Sequence, residues 1–368
     1  MSPQTEIQLI AAVTAAACGL VGAFLVLRRT SLLSDAIAHA ILPGIVVAFF
    51  LTESLTSPWL LLGAAVTGVL TVALIEAIGG SRLVKQDAAI GLVFPALFSI
   101  GVILISRYAA DVHLDADAVL LGDPTFSWIE RLTVGGRDLG PAALWTMGVV
   151  LALVVAFLAV FYKELKLTTF DPALAAALGF APAALNYALM SLVSVVAVGA
   201  FDVVGSILVV ALMIAPPAAA WLLTDRLPTL LALSALGGVA SAVAGYWLAR
   251  GLDVSIAGAM AVAAGLWFAL ALAFAPHRGL VAQARRRARQ RVAFARRMLL
   301  VHLLHHEGTP AAERECRVEH LQEHLHWAPA FASRAVRVAE RSGAVRRQGD
   351  RLALTDQGRA AARRAMTE

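Results

Sequence analysis

Charge is scarce in this chain. Of its 368 residues, 15% are Asp, Glu, Lys or Arg, against ~25% in an ordinary globular domain. Lysine occurs only as Lys85, Lys163 and Lys166, and cysteine only as Cys18, in an apolar run, and Cys316, in a basic stretch. Two cysteines so placed make no disulfide framework. No G-x-x-x-x-G-K-[ST] string is present, so the chain has no phosphate-cradling loop of its own. Apolar residues fill the space instead. They make up 60% of the sequence, and the mean hydropathy is +0.78. That composition excludes a single soluble domain and also a disordered chain.

The net charge of +5 conceals a split. The first 276 residues hold 11 Lys and Arg against 16 acids; the rest hold 19 Arg, no Lys and 9 acids. A slightly acidic apolar body over 1–276 precedes a basic linker over 277–294 and a polar domain over 295–368. Crossing ~30 Å of hydrocarbon takes about 20 apolar residues of helix. Runs of that order begin near Ile7, Ala36, Trp59, Ile90, Pro141, Ala183, Val203, Leu227 and Ile256. The first is too long for a signal-peptide core and lacks a basic leader, so it reads as a retained span. The Ala183 and Val203 runs are joined only by Gly199 to Asp202. They read as two crossings or one broken element, giving nine spans or eight.

Basic loop residues set orientation. Arg28 and Arg29, Arg82 and Lys85, Lys163 and Lys166, Arg226, and the arginine-rich tail each follow an odd-numbered run. All these loops can be cytoplasmic at once, with the N-terminus outside and the C-terminus inside. The segment from Arg107 to Gly140 then falls outside. Its Asp111, His113, Asp115 and Asp117 suit a cation-facing surface, or equally a merely solvated loop. Trp59, Trp145, Trp221 and Trp247 read as interfacial anchors, and Glu76 and Asp253 as interfacial groups.

Asp35 and His39, four residues apart, share one face of a helix. A carboxylate with an imidazole suits Mn, Fe or Zn, and ionisable groups inside an apolar span usually serve transport. The alternative is that Asp35 caps the second span and His39 is a satisfied core histidine. Two ligands form an incomplete site, as a conduit that must release its ion requires. Asp202, in the expected break between Gly199 and Gly205, either meets an ion at the outer end of the path or caps the next helix. Between the fifth and sixth runs, Asp171 followed by Pro172 is a helix start. Ala173 to Leu178 is a short helix, and Gly179 is its stop. Such a capped helix is what a permease offers a separate ATPase; an ordinary interfacial helix is the other reading.

Residues 31–44, SLLSDAIAHAILPG, resemble the signature of the metal-ion ABC permeases, the zinc/manganese/iron importer family. Thr169 to Gly179 is similar to that family's coupling helix, and Gly199 to Ala220 to its late-span motif. Leu120 to Asp123 matches its external loop less closely. The resemblance runs in order from about residue 7 to residue 275. It implies an all-α polytopic membrane protein of eight to nine transmembrane helices, an ABC type II importer-like permease in the bacterial cell membrane. It implies a second permease subunit, identical or different, two ABC ATPase subunits holding ATP, and a metal-binding lipoprotein or periplasmic protein outside. A manganese, zinc or iron ion is then substrate, with no cofactor bound tightly and no covalent chemistry in the chain itself. On this resemblance Asp35, His39 and Asp202 line the path transiently. Asp171, Pro172, Ala173, Leu174, Leu178 and Gly179 belong to the coupling helix.

The tail has its own pattern. Arg285 to Arg291 reads as a juxtamembrane segment drawn to anionic lipid. Helices are expected over Ala295–His306, Val318–His326 and Phe331–Arg341, then a hairpin over Arg346–Leu354 and a last helix from Asp356. Three helices, a wing and a helix make a small cytoplasmic winged helix-turn-helix. It resembles the N-terminal domain of iron-dependent-repressor-type metalloregulators over about Ala295 to Met366, and ends where their metal-sensing helices would begin. Cys316, Glu319 and His320 mimic a ligand cluster of those regulators in the wrong part of the fold, and read as coincidence. His302/His306 and His320/His324 share helical spacing but lack a supporting carboxylate, and read as solvated faces. Arg334, Arg337, Arg341, Arg346, Arg347 and Arg351 suit phosphate; lipid or protein contact is preferred to DNA.

The function expected is an ATP-driven importer's permease for divalent transition-metal ions. The alternatives are a metal-chelate permease of the siderophore type, needing a roomier path without the ion-ligating pair, and a membrane-anchored metal-responsive transcription regulator.

Overall fold

A helix that is apolar all round is buried in protein or in lipid. The computed structural model describes residues 2–53, 58–81, 83–108, 124–125, 127–134 and 137–367. Among them are nine helical segments long and apolar enough to cross a membrane. Residues Met1–Gly279 form one compact unit and Leu280–Glu368 another.

The first unit opens with Pro3–Leu27 (α1), Leu32–Ala40 (α2), Leu42–Thr52 (α3), Pro58–Gly80 (α4) and Gln86–Tyr108 (α5). Helices α2 and α3 are two halves of the second span, with Pro43 in the first turn of α3. An antiparallel hairpin of Arg131–Val134 (β1) and Arg137–Pro141 (β2) follows, with an irregularity between Arg131 and Thr133. Then come Ala142–Val160 (α6), Tyr162–Phe170 (α7), Pro172–Ala177 (α8), Pro182–Val204 (α9), Ser206–Leu223 (α10), Leu227–Leu252 (α11) and Ile256–Phe274 (α12). Helices α1 and α9 are the most enclosed spans; α5, α6 and α12 are the least. Phe24 and Leu25 of α1 pack in one core with Ile37, Ile75, Met147, Leu189, Leu208 and Met213. Large apolar residues such as Val66, Ile103, Val149 and Leu266 point outward, as lipid requires.

Lipid tails are as apolar as leucine, so close helix packing needs small residues more than hydrophobic ones. A Cβ on Gly44 of α3 would overlap the Gly63 carbonyl and the Thr67 hydroxyl of α4. A Cβ on Gly22 of α1 would overlap the Met213 carbonyl of α10. Hydroxyls inside the bundle return to their own helix: Thr14 Oγ1 donates to the Ile10 carbonyl, Thr71 to Thr67 and Ser234 to Leu230. No buried hydroxyl of these three is then left without a partner in hydrocarbon.

One local expectation is corrected. Helix α9 continues unbroken through Gly199 to Val204, and the chain turns only at Gly205 (φ 79°, ψ 161°). Asp202 therefore lies on regular helix, neither in irregular backbone nor capping α10. Breaking the helix at Gly199 would orphan backbone groups at membrane depth, which costs several kcal/mol each. Two separate helices occupy 182–223. Most of the basic stretch over 277–294 lies in one continuous helix, Leu280–His306 (α13).

The second unit continues from α13 with Ala312–Glu315 (α14), Val318–His324 (α15), Pro329–Arg341 (α16), Val345–Gln348 (β3), Arg351–Leu354 (β4) and Asp356–Thr367 (α17). Strands β3 and β4 pair antiparallel from Val345↔Leu354 to Gln348↔Arg351, around Gly349 at φ 62°. The core is Leu299, Leu300, Leu303, Cys316, Leu321, Val336, Val345, Leu352 and Leu354 with small alanines. Helix α16 is strongly one-sided, burying Ala332, Ala335, Val336 and Ala339.

Candidate metal path and coupling helix

Helix α2 buries Leu33, Ser34, Ala36, Ile37 and Ala40. The ionisable Asp35 and His39 are not among the buried residues, and Leu32 at its start is exposed. His39 Nε2 lies 3.6 Å from Asp35 Oδ1, and the side chains are 27% and 50% exposed. The imidazole is backed by α5, with its ring centroid 5.5 Å from Phe94 and 6.2 Å from Phe98. An apolar wall thus holds a polar pair half open. Asp35 does not cap α2, since Ser31 holds the N-cap position and Asp35 sits inside the first turn. The pair offers one oxygen and one nitrogen on one face, which is less than the four to six ligands a closed site takes.

Asp202 is exposed near the end of α9. Among the described residues, no hydrogen bond or ion pair joins it to Asp35 or His39. Asp111, His113, Asp115 and Asp117, with the Leu120–Asp123 motif, lie outside the described residues.

The short helix α8 starts as its sequence dictates. Asp171 Oδ1 accepts the Leu174 backbone N–H at 2.9 Å, Pro172 occupies the first turn, and Gly179 takes φ +86° after Leu178. A cap of this kind is worth ~1 kcal/mol. Ala175 is buried against the unit, while Phe170, Leu174 and Leu178 are exposed. Phe170, Leu174 and Leu178 thus leave apolar side chains uncovered beside the capped helix.

Arg28, which sequence reasoning took only as a basic loop residue, connects this loop to the spans. Arg28, at the C-cap of α1, donates through Nη1 to Asn186 Oδ1 of α9 at 2.6 Å. It also donates through Nε to Thr169 Oγ1 at 3.2 Å and through Nη2 to Thr168 Oγ1 at 3.3 Å, both on α7. Asn186 in turn donates to the Glu76 carboxylate of α4. Burial pulls the Arg28 pKa down and Glu76 pushes it back up; arginine stays charged throughout. The partners lie 140 to 158 residues from Arg28, beyond any spacing rule.

At the Glu6 end of α1 a second pairing recurs on the same logic. Glu6 is buried, and both its oxygens accept from the Arg131 guanidinium at 3.3 and 3.4 Å. Arg131 Nε also meets Asp138 Oδ2 at 2.5 Å. The Gly140 N–H and then Arg131 hold the Asp138 carboxyl below the usual range. Aromatic anchors lie near span ends: Arg278 stacks 4.3 Å over Trp221, and Trp145 Nε1 donates to the Leu139 carbonyl.

Nine apolar spans among the described residues, with a half-open Asp–His pair and an exposed capped loop helix, mark a polytopic membrane protein. The match is specific: the ABC 3 transport family covers residues 5–275, and the chain belongs to that family. It is 47% identical over 353 residues, 96% of each chain, to the zinc transport system membrane protein TroD of Treponema pallidum (strain Nichols). It is 50% identical over 264 residues, 72% of this chain and 89% of that protein, to the manganese transport system membrane protein MntD of Bacillus subtilis (strain 168). Among solved structures, PsaBC from Streptococcus pneumoniae in complex with Fab superposes with TM-score 0.63 at 29% identity, covering 76% of this chain and 94% of that one. The protein is therefore a multi-pass permease subunit of the cell membrane.

Proposed function

We propose that this chain is the membrane subunit of an ATP-driven importer for divalent transition-metal ions, with manganese, zinc or iron as substrate. The observation that carries the reading is the Asp35–His39 pair, half exposed against the Phe94–Phe98 wall within an apolar span. Zinc and manganese in the names of the relatives at 47% and 50% identity support it.

On this reading the N-terminus is outside and the tail cytoplasmic. A binding protein releases the ion at the outer end, where Asp202 and the Asp111–Asp117 segment attract it. The ion sheds part of its water at Asp35 and His39. A second permease, identical or different, supplies a further pair, so that two incomplete sites make one weak one. A site built from two halves holds the ion only while the halves meet, which suits release. Two ABC ATPases carry the ATP and dock on the Asp171–Gly179 helix. Its displacement reaches the spans through α7 and the Arg28 hub. The tail over 295–368 is read as a winged-helix domain that modulates the transporter, with lipid or the ATPases facing its arginines.

The test is metal uptake into proteoliposomes holding the permease, its ATPase and its binding protein. ATP-dependent accumulation of manganese, zinc or iron is the expected result. Uptake of a chelate but not of the free ions would move the reading to the siderophore-type class.

A further inference from the structure

We infer that His302, His306 and Glu315 form a binding site for one divalent transition-metal ion in the second unit, separate from the membrane pair. The two histidines are four apart near the end of α13 and so share a face. The chain then turns at Gly308, with φ +78°, and α14 returns Glu315 to that face. One imidazole nitrogen from each histidine and one carboxylate oxygen all lie within 4.8 Å of one another, half buried. Ligand atoms on one metal at about 2.1 Å lie at most about 4.2 Å apart. Small side-chain rotations close that gap.

The surroundings favour these three groups over their neighbours. Glu307 is engaged by Arg359 at 3.0 Å, and Glu313 by Arg351 at 2.6 Å. The third carboxylate of this stretch, Glu315, is the one that reaches the imidazoles. His302 Nε2 donates to the Glu315 carbonyl at 3.1 Å, which ties the end of α13 to α14 at this face. His320 Nε2 sits 2.7 Å from Glu315 Oε2 and fixes the carboxylate, as second partners of metal ligands commonly do. Cys316 belongs to the apolar core and is not a ligand. Two imidazoles and a carboxylate suit zinc, cobalt, iron or manganese rather than copper(I) or calcium. The site stands whether or not the spans conduct metal.

The test uses the purified full-length chain carrying Asp35→Ala and His39→Ala, which removes the membrane pair, titrated calorimetrically with ZnCl2 and CoCl2. One ion per chain is expected. Affinity should fall at least about tenfold in His302→Ala and in Glu315→Gln, ligand loss costing no less than the 10–100-fold typical of outer-shell partners. His305→Ala, on the same helix but outside the cluster, should bind as the background does. Unchanged binding in both ligand variants, equal loss in His305→Ala, or a background that binds no ion would overturn the assignment. Because a variant could misfold, X-ray absorption of the zinc-loaded background gives an independent reading. A nitrogen/oxygen shell with imidazole scattering is expected; sulfur ligation or a shell without imidazole would equally overturn it.

Discussion

The body and the tail solve opposite problems with their charges. In the membrane unit ionisable groups are few, and several of those toward the bundle interior reach across the fold: Arg28 to α7 and α9, Glu76 to α9, Glu6 to the β1–β2 hairpin. In the tail arginine is common, and exposed pairs such as Arg359–Glu307 and Arg351–Glu313 tie surface elements together in water. A charge in hydrocarbon is expensive, and Arg28, Glu76 and Glu6 each meet a partner from another element. A charge in water is inexpensive, and only convergence of several, as at His302, His306 and Glu315, carries information.

The largest expected effect sharpens that contrast within the body. Asp35→Ala and His39→Ala should each abolish metal uptake in proteoliposomes while membrane insertion and ATPase assembly persist. Normal uptake by both at equal protein level would remove the pair from the path. Next comes Arg28→Ala. It leaves Asn186, Thr168 and Thr169 short of a charged donor, and hydrogen bonds to charged groups are worth ~1.5–3 kcal/mol. Thermal stability in detergent should drop, and Arg28→Lys should recover it only in part, because the fork that reaches three partners is lost. Full recovery by lysine would show that charge alone matters there.

A third variant, Asp171→Ala with Pro172→Gly, loses a cap worth ~1 kcal/mol and the preset first turn. Folding should survive, and the ratio of metal transported to ATP hydrolysed should fall. An unchanged ratio would mean that α8 does not couple. Removal of the tail is expected to do less. The cut belongs after Gly279, since one at Arg291 would split α13. Some uptake should remain, because the family match ends at residue 275; complete loss with normal assembly would make the tail part of the transport machinery.

The smallest effect is predicted for Arg351→Ala. Arg351 holds the Glu313 carboxyl below its usual range. A depressed folded pKa contributes stability at neutral pH that is lost as pH falls through the carboxylate range. Exposed pairs of this kind contribute little, so melting at pH 7 should barely move, and at low pH the variant and the parent should coincide. A large shift at pH 7 would place tail charges in the same class as those of the body.

The spans were legible because lipid imposes one composition on anything that crosses it. Nine runs were read and nine segments are present among the described residues. The start of α8 was legible because Asp171 and Pro172 act within one turn. The pairing of Asp35 with His39 followed from helical spacing alone. Sequence could not choose between Gly199 and Gly205 as the turning point, because both permit it and only the surrounding helix ladder decides. The Arg28 hub was illegible, its partners lying in separate helices far along the chain. Glu315 was overlooked beside His302 and His306 because it reaches them around the Gly308 turn, not along α13. The absence of a carboxylate at helical spacing was mistaken for the absence of one in space.

The turn at Gly205 bears on how its two spans move. With φ 79° and ψ 161°, its backbone sits in a region essentially reserved for glycine, and it is the single residue between α9 and α10. The 18 residues of α10 reach about 27 Å at 1.5 Å each, close to the ~30 Å of hydrocarbon. With one residue as tether, the joined ends of the two spans cannot drift apart, so a shift in depth or tilt of one is passed to the other at that end.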